Sequence, residues 1–409
     1  MRSGFVSLLA SAVASLHLVA LAQEEKIVSA TVPIVLDHNR MLVDAEFQRR
    51  DGTWRRARLW VDSGNPAFFM SEALARDLGV DLSVAGEQAV EGRLEVPPPK
   101  AVRIGGMPLR FEGVASTVLF EPRWLFSTMQ NDANLPATVL RKYHVVFDYP
   151  GLELTLAAPG SLEPRGLRAG ARIHPDTGIV QIDAVIDGEK LSLALDNGAS
   201  YSFVSDTVLA RLSRHHPGWP RGIGAVGGAN IWGWWADEAT WPLLRLPGIE
   251  WGPARLEDVG IVGLPKIFPN GTSLGDWYSL KTASPVDGFL GPNAFKAFRV
   301  EIDFANSAVY FERVEEPDPH DMDIVGLTLR PELDGSYLVV GVAGKGGKPA
   351  VDKVQPGDKL LQVGDLVTTG ATMGTVVDSL RGKPGDVRTL VLERNGKRFT
   401  VEARVERFL

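Results

Sequence analysis

The sequence predicts a mainly β protein with two homologous β units followed by a third, unrelated unit. Short stretches of alternating polarity, such as residues 104–111, are separated by Gly and Pro, which is typical of strands and turns. An internal repeat of about 140 residues has the right length for a unit with its own core. The residues after position 321 have no counterpart in this repeat.

The repeat is centred on a motif found without a gap at residues 59–72 and 193–206. In each copy an apolar strand leads into an Asp, a small polar residue and a Gly, and Asp62 aligns with Asp196. A second apolar patch and a Ser that can cap a helix follow, which predicts short helices over 71–78 and 205–212. Because a carboxylate at the end of a buried strand is costly to ionise without donors, both Asp residues are candidates for function.

The similarity between the halves extends beyond the motif. An Asp-Gly hairpin signal precedes each copy, at residues 51–52 and 187–188. Residues 132–156 also match residues 287–311, with apolar positions in register. We therefore assign the first unit to residues 23–165 and the second to residues 166–314.

The amino terminus resembles a secretory signal. Arg2, an apolar run over residues 5–21 and Ala-Leu-Ala at 20–22 predict a signal peptide over residues 1–22. The alternative is an uncleaved membrane anchor, since the run is nearly long enough to span a bilayer. With cleavage, we expect an exported, periplasmic or secreted protein without stable membrane insertion.

The amino-acid composition argues against several kinds of partner and metal site. The net charge of −7 argues against nucleic acid as a partner. The absence of cysteine excludes disulfides and thiolate metal sites, and it fits a bacterial envelope setting. The one close histidine pair, His215 and His216, does not predict a metal site because adjacent side chains point apart.

The repeated pattern of apolar strand, Asp-[Ser/Thr]-Gly and a later apolar-apolar-Gly, at residues 289–291, resembles the retropepsin-like and pepsin-like aspartic proteases. The resemblance covers residues 27–313. It implies a pseudo-twofold aspartic protease fold, a catalytic dyad of Asp62 and Asp196, a polypeptide substrate and no metal or cofactor. Because both lobes lie in one chain, we expect a monomer. The triplet at residues 176–178 follows His-Pro rather than an apolar strand and is interpreted as a turn.

The resemblance also implies residues that support the dyad. Ser63 is expected to tie the two Asp loops together, and Ser200 to steady the second Asp with its hydroxyl. The departures from the family pattern are Asn197 in place of a hydroxyl residue, Asn-Pro at residues 65–66, and Pro136 where Gly is usual. The complete expected set is Ser63, Gly64, Asn197, Gly198 and Ser200.

A stretch rich in Gly and Trp over residues 222–251 resembles the flap hairpin that closes over the substrate in this family. Glycines would supply mobility and tryptophans apolar pockets. The alternative is that the tryptophans pack the interior of a large lobe. The flap and substrate candidates are Gly227, Gly228, Trp232 and Trp234.

An acidic, Pro-containing linker over residues 315–321 leads to residues 322–409, which resemble a PDZ domain of bacterial envelope proteases. The Pro-Gly-Asp signature at 356–358 carries the resemblance, with helices expected near 350–354 and 372–381. Such a domain implies binding of a peptide carboxylate by backbone N–H groups of a loop. That loop would be Gly326, Leu327, Thr328 and Leu329, where Thr328 replaces the usual Gly. We expect a separable module.

Three functions from different classes fit the sequence. The first is an active exported aspartic endopeptidase, which retention of both Asp residues favours. The second is a catalytically weak or inactive peptide-binding or regulatory protein of the same fold, which the altered neighbours favour. The third is a structural envelope scaffold. A close approach of the carboxylates of Asp62 and Asp196 would favour the first.

Overall fold

A computed structural model of the chain describes residues 28–90, 92–120, 131–233, 235–267 and 271–409. The expected signal peptide at residues 1–22 and Trp234 lie outside the described residues. Strands make up 45% and helices 13% of the chain, which confirms the mainly β class. Within these ranges no helix combines the length and the apolar character needed to cross a membrane.

The first half forms a mixed sheet around the first Asp motif. The strand Trp54–Asp62 pairs in parallel with Ala133–Pro136, in the register that places Leu135 opposite Val61. A hairpin turn at Asp51 and Gly52 joins it to the preceding strand, as the sequence predicts. The strand order is Arg93–Val96, Ser116–Leu119, Phe68–Ser71, Ala133–Pro136, Trp54–Asp62, Arg40–Gln48, Val102–Ile104 and Met107–Leu109, with Val35–Asp37 beside Arg40–Gln48.

The second half repeats this arrangement. The strand Glu189–Leu195 pairs in parallel with Gly288–Leu290, and Leu290 lies opposite Leu195. Its hairpin turn is again an Asp-Gly pair, in which both residues have positive φ. The strand order is Arg172–Ile173, Val180–Ile186, Glu189–Leu195, Gly288–Leu290, Ser202–Ser205, Ala254–Leu264, Pro242–Trp251 and Arg221–Ile223.

A third sheet joins the two halves. His144–Asp148 pairs antiparallel with Phe298–Asp303, and these two strands come from the regions that the repeat aligns. Across this contact His144 Nε2 lies 2.9 Å from Glu301 Oε2, and both side chains are buried. The strand order is Ser29–Pro33, Glu153–Ala157, His144–Asp148, Phe298–Asp303, Ala308–Arg313 and Leu167–Gly170.

Helices are short, and two of them begin at the Ser residues that the sequence predicts as caps. The hydroxyl of Ser71 accepts a hydrogen bond from Leu74 N at the start of Glu72–Asp77, and Ser205 caps Asp206–His215 in the same way. The other α-helices are Ala85–Gln88, Ala137–Leu140, Leu274–Tyr278 and Met373–Leu380, and the 3-10 helices are Gly227–Ala229, Ala236–Thr240 and Pro292–Ala294.

Residues 322–409 form a separate small sheet with one α-helix against it. The expected helix near 372–381 is present as Met373–Leu380, whereas residues 350–354 form a turn in which Lys353 has positive φ. The strand order is Leu327–Pro331, Tyr337–Val342, Lys359–Val363, Val387–Arg394 and Lys397–Arg404, with Leu366–Val367 beside Lys359–Val363; two further pairs join Asp323–Ile324 to Glu406–Arg407 and Gly344–Lys345 to Lys348–Pro349.

This C-terminal unit shares an apolar core with the second half. Val226, Ala229 and Ile231 of the second half are buried in one cluster with Leu327 and Val376 of the C-terminal unit. Removing residues 322–409 would expose these side chains to water, at an approximate cost of 25 cal/mol per Å² of apolar surface. The shared core therefore differs from the expectation of a freely separable module.

We expect a protease to nick the linker without releasing the C-terminal unit. Residues 313–316 are exposed and so are accessible to cleavage. The shared core, together with the ion pair between Arg245 Nη2 and Asp321 Oδ1 at 2.6 Å, holds the fragments together. Size-exclusion chromatography of nicked protein should give one peak containing both fragments, and unfolding should show one thermal transition. Two separable folded fragments, or two transitions, would contradict this prediction.

Candidate active site

The two Asp residues lie at equivalent ends of two strands. Asp62 ends the strand Trp54–Asp62, and Asp196 directly follows Glu189–Leu195. Both line a cavity of about 340 Å³ between the halves. Asp62 is only 6% exposed, so its carboxylate is largely shielded from water.

The glycine two residues after each Asp faces the Asp of the other half. A Cβ at Gly64 would lie 2.6 Å from Asp196 Oδ1, and a Cβ at Gly198 would lie 2.8 Å from Asp62 Cγ. The same point at Gly198 is 3.1 Å from Asp196 Oδ1, so both carboxyl groups lie next to this glycine. Only glycine leaves room for this approach. The structure thus brings together Asp62, Asp196, Gly64 and Gly198.

Ser63 ties the two Asp loops together as expected. Its hydroxyl donates to Leu195 O at 3.2 Å and accepts from Asn197 N at 3.0 Å. Asn197 therefore takes part through its backbone, and its side-chain type does not alter this contact. The link holds the second Asp loop against the first.

The two carboxyl groups differ in their hydrogen-bond donors. Asp196 Oδ1 accepts backbone N–H bonds from Gly198 at 2.9 Å and Ala199 at 3.2 Å. Asp62 Oδ2 accepts from Asn134 Nδ2 at 3.1 Å. Burial, and then the charge of Asp196, raise the pKa of Asp62 well above its usual value. Burial also raises the pKa of Asp196, but its backbone donors oppose the shift.

Asn134 is a site residue that the sequence analysis missed. It is fully buried, and its Oδ1 accepts from Phe69 N at 2.7 Å, which directs Nδ2 toward Asp62. A signal was present, because the repeat aligns Asn134 with Phe289 and so places an amide in an otherwise apolar strand.

Arg40 is the second missed residue. It follows the tight turn at His38 and Asn39, where both residues have positive φ. Its Nε donates to Gly198 O at 2.7 Å and its Nη2 donates to Ile231 O. Burial lowers its pKa to about 10, so Arg40 remains a cation at neutral pH beside the two Asp residues. No short-range pattern around Arg40 indicates this contact.

The same turn also contacts the C-terminal unit. Asp37 is buried, and its Oδ1 accepts from Gly374 N at 2.6 Å in the first turn of Met373–Leu380. His38 Nε2 lies 2.7 Å from Asn230 O. The turn therefore connects the second Asp loop, the segment around Ile231 and the C-terminal helix.

Two supporting residues differ from expectation. The hydroxyl of Ser200 donates to Gly228 O at 2.7 Å rather than to Asp196. Pro136 is tolerated where Gly is usual. At the equivalent Gly291 a Cβ would lie 2.6 Å from the backbone carbonyl carbon of Tyr201, so the second half has no room for a side chain there.

The Gly- and Trp-rich segment is not a free hairpin over the cavity. Gly227 and Gly228 lie in the 3-10 turn Gly227–Ala229, and a Cβ at Gly227 would be 2.8 Å from Ile324 Cδ1 of the C-terminal unit. Packing against that unit therefore replaces the expected mobility. Trp232 does line the cavity, with its ring 5.6 Å from that of Phe203.

The expected carboxylate-binding loop is covered. Gly326, Leu327, Thr328 and Leu329 are buried. Leu329 O accepts from Asn230 Nδ2 at 2.6 Å, and a Cβ at Gly233 would be 2.7 Å from the same oxygen. Residues 230–233 thus occupy the edge where an added peptide strand would lie, which corrects the expectation of an open peptide site.

In the described ranges no three His, Asp or Glu side chains come together in a way that could hold a metal ion. The chain matches no protein-family model, and no curated protein is significantly similar to it.

Proposed function

We propose that the protein is an exported aspartic-type endopeptidase with Asp62 and Asp196 as its dyad, built from two retropepsin-like lobes. The observation that carries the proposal is the reciprocal approach in which Gly64 faces Asp196 and Gly198 faces Asp62. Two carboxyl groups this close hold one proton between them, because both cannot ionise cheaply. Such a pair serves acid-base chemistry and has no evident structural use at the base of an open cavity.

The different donors assign the two roles. Asp196, which has the backbone N–H donors, holds the negative charge, and Asp62 holds the proton. A water molecule gives a proton to Asp196 as its oxygen attacks the peptide carbonyl carbon, and Asp62 protonates the carbonyl oxygen. The C–N bond then breaks as Asp196 returns its proton to nitrogen, while a hydroxyl of the tetrahedral intermediate restores the proton of Asp62.

The walls of the cavity fit a polypeptide with apolar side chains. Aromatic and aliphatic residues surround the dyad and can exclude water around the scissile bond. The apolar lining comprises Trp60, Phe69, Leu119, Phe203, Trp232, Trp235, Ile267, Leu274, Trp277 and Tyr278.

We further propose that the C-terminal unit is a PDZ domain whose peptide edge is used within the chain. Two observations support this proposal. The unit consists of a small sheet and the helix Met373–Leu380, and residues 230–233 lie against the strand Leu327–Pro331. In this arrangement the unit supports the wall that carries Trp232. Export follows only from the pattern at residues 1–22.

The test is cleavage of denatured polypeptides. Protein lacking residues 1–22 is incubated with a mixture of denatured proteins at several pH values, and new termini are identified by mass spectrometry. We expect new termini between apolar residues, with none from the variant that carries both Asp62→Asn and Asp196→Asn. Binding of the polypeptides without cleavage at any pH would favour a peptide-binding protein. Asn197, which stands where the family has a hydroxyl residue, favours this alternative.

A further inference from the structure

The lining of the cavity includes a lysine held between aromatic residues. The helix Leu274–Tyr278 and the turn after it place Trp277, Tyr278 and Lys281 on the lining. Lys281 Nζ lies 5.1 Å from the ring centroid of Trp277 and 5.2 Å from that of Tyr278. The ammonium group therefore lies over two aromatic rings at the edge of the cavity that Lys281 lines.

Among the described residues, no carboxylate pairs with this ammonium group. In the part of the chain that the structure describes, Lys281 Nζ contacts the rings of Trp277 and Tyr278 and makes no salt bridge or side-chain hydrogen bond. Burial lowers the pKa of Lys281, and the charge of Arg93 lowers it further. A partly buried charge without a partner is costly, and an anion that enters the cavity relieves that cost.

The charges of the lining favour an anionic ligand near Lys281. Among the described lining residues, only the dyad carries carboxylates. The dyad and Lys281 line the same cavity of about 340 Å³. An extended chain advances about 3.3–3.6 Å per residue. A substrate group that binds Lys281 therefore belongs to a residue within a few positions of the scissile bond.

We propose that Lys281 forms a subsite for a carboxylate of the substrate, so that the enzyme prefers peptides with an acidic group within about three residues of the cleaved bond. The inference rests on the proposed peptidase function and specifies its substrate class. The carboxylate is either an Asp or Glu side chain or the C-terminal α-carboxylate of the substrate. In both cases the ion pair replaces lost hydration of the ammonium group.

The test compares matched peptides that carry Glu, Gln or Lys at each position near one cleaved bond. For wild-type protein we expect kcat/KM for the best Glu peptide to exceed that of its Gln counterpart about 10- to 100-fold. Lys281→Met keeps the stem on the rings and should bring this ratio close to one, whereas Lys281→Glu should favour the Lys peptide. Peptides with a free or an amidated C-terminus distinguish the two sources of carboxylate.

The control is Lys190→Met, which removes an exposed lysine outside the cavity and should keep the wild-type ratio. Equal cleavage of Glu and Gln peptides by wild-type protein would overturn the subsite while leaving the peptidase function intact. If no peptide is cleaved, fluorescence anisotropy measures binding of the same peptides. A Glu preference that Lys281→Met abolishes would then support the subsite, and equal binding would overturn it.

Discussion

Replacing Asp62 or Asp196 with Asn is expected to lower kcat at least about 1,000-fold. Either change removes the one proton that the pair shares or the charge that activates water. The double variant should differ little from the worse single variant, because the two groups act as one unit. Steady-state kinetics on one cleaved peptide checks this result. Near wild-type activity in either single variant would contradict the shared-proton mechanism.

The pH profile of the wild-type protein follows from the same pair. The dyad needs one proton. We expect kcat to decrease when pH rises above the raised pKa of Asp62, because the proton is lost, and when pH drops below the pKa of Asp196, because a second proton binds. The resulting curve is bell-shaped, with its alkaline limb well above the usual carboxyl value of 3.8. A rate independent of pH across that range would contradict the assignment.

Protein stability provides a control for the Asp62→Asn variant. The folded-state pKa of Asp62 is raised above the ordinary carboxyl value of 3.8 that it has in the unfolded chain. Protonated Asp62 therefore contributes stability below pH 3.8, and this stability is lost as pH rises through the folded-state pKa. Asn carries no charge and avoids this loss. We therefore expect the variant to be folded and to have a higher Tm than wild type at neutral pH, with the difference vanishing in acid. A lower Tm at neutral pH would indicate damage to the fold.

Replacing Arg40 with Met is expected to destabilise the protein by about 3–5 kcal/mol. The variant loses hydrogen bonds to Gly198 O and Ile231 O, and it leaves buried Asp37 without this nearby cation. Denaturant unfolding measures the change. The exposed Arg56→Met is the matched control and should change stability by no more than about 1 kcal/mol.

Arg40→Met should also move the acidic limb of the pH profile. The charge of Arg40 lowers the pKa of Asp196, so its removal should raise that pKa and shift the limb to higher pH. Arg40→Lys keeps the charge but loses the guanidinium group that donates to two carbonyl oxygens. The acidic limb of this variant should lie close to that of wild type, and its kcat should remain reduced. An unchanged profile in Arg40→Met would show that Arg40 acts through packing alone.

The local elements could be predicted from the sequence because their signals are local. The Asp-Gly turns at 51–52 and 187–188 and the capping residues Ser71 and Ser205 each act within a few residues, and the structure contains all four. The internal repeat placed Asp62 and Asp196 at equivalent strand ends. From sequence alone, then, the mainly β class and the two candidate carboxylates could be determined.

The donors and contacts of those carboxylates depend on tertiary structure. Arg40 reaches Gly198 across 158 positions of sequence, and Asn134 reaches Asp62 across 72. Ser200 donates to Gly228 O, and the neighbouring Gly227 packs against Ile324 of the C-terminal unit. Such contacts leave no periodic pattern in the chain, since they depend on which surfaces meet after the sheets form. For the same reason, the docking of residues 225–233 against residues 322–409 was decided only by packing in three dimensions.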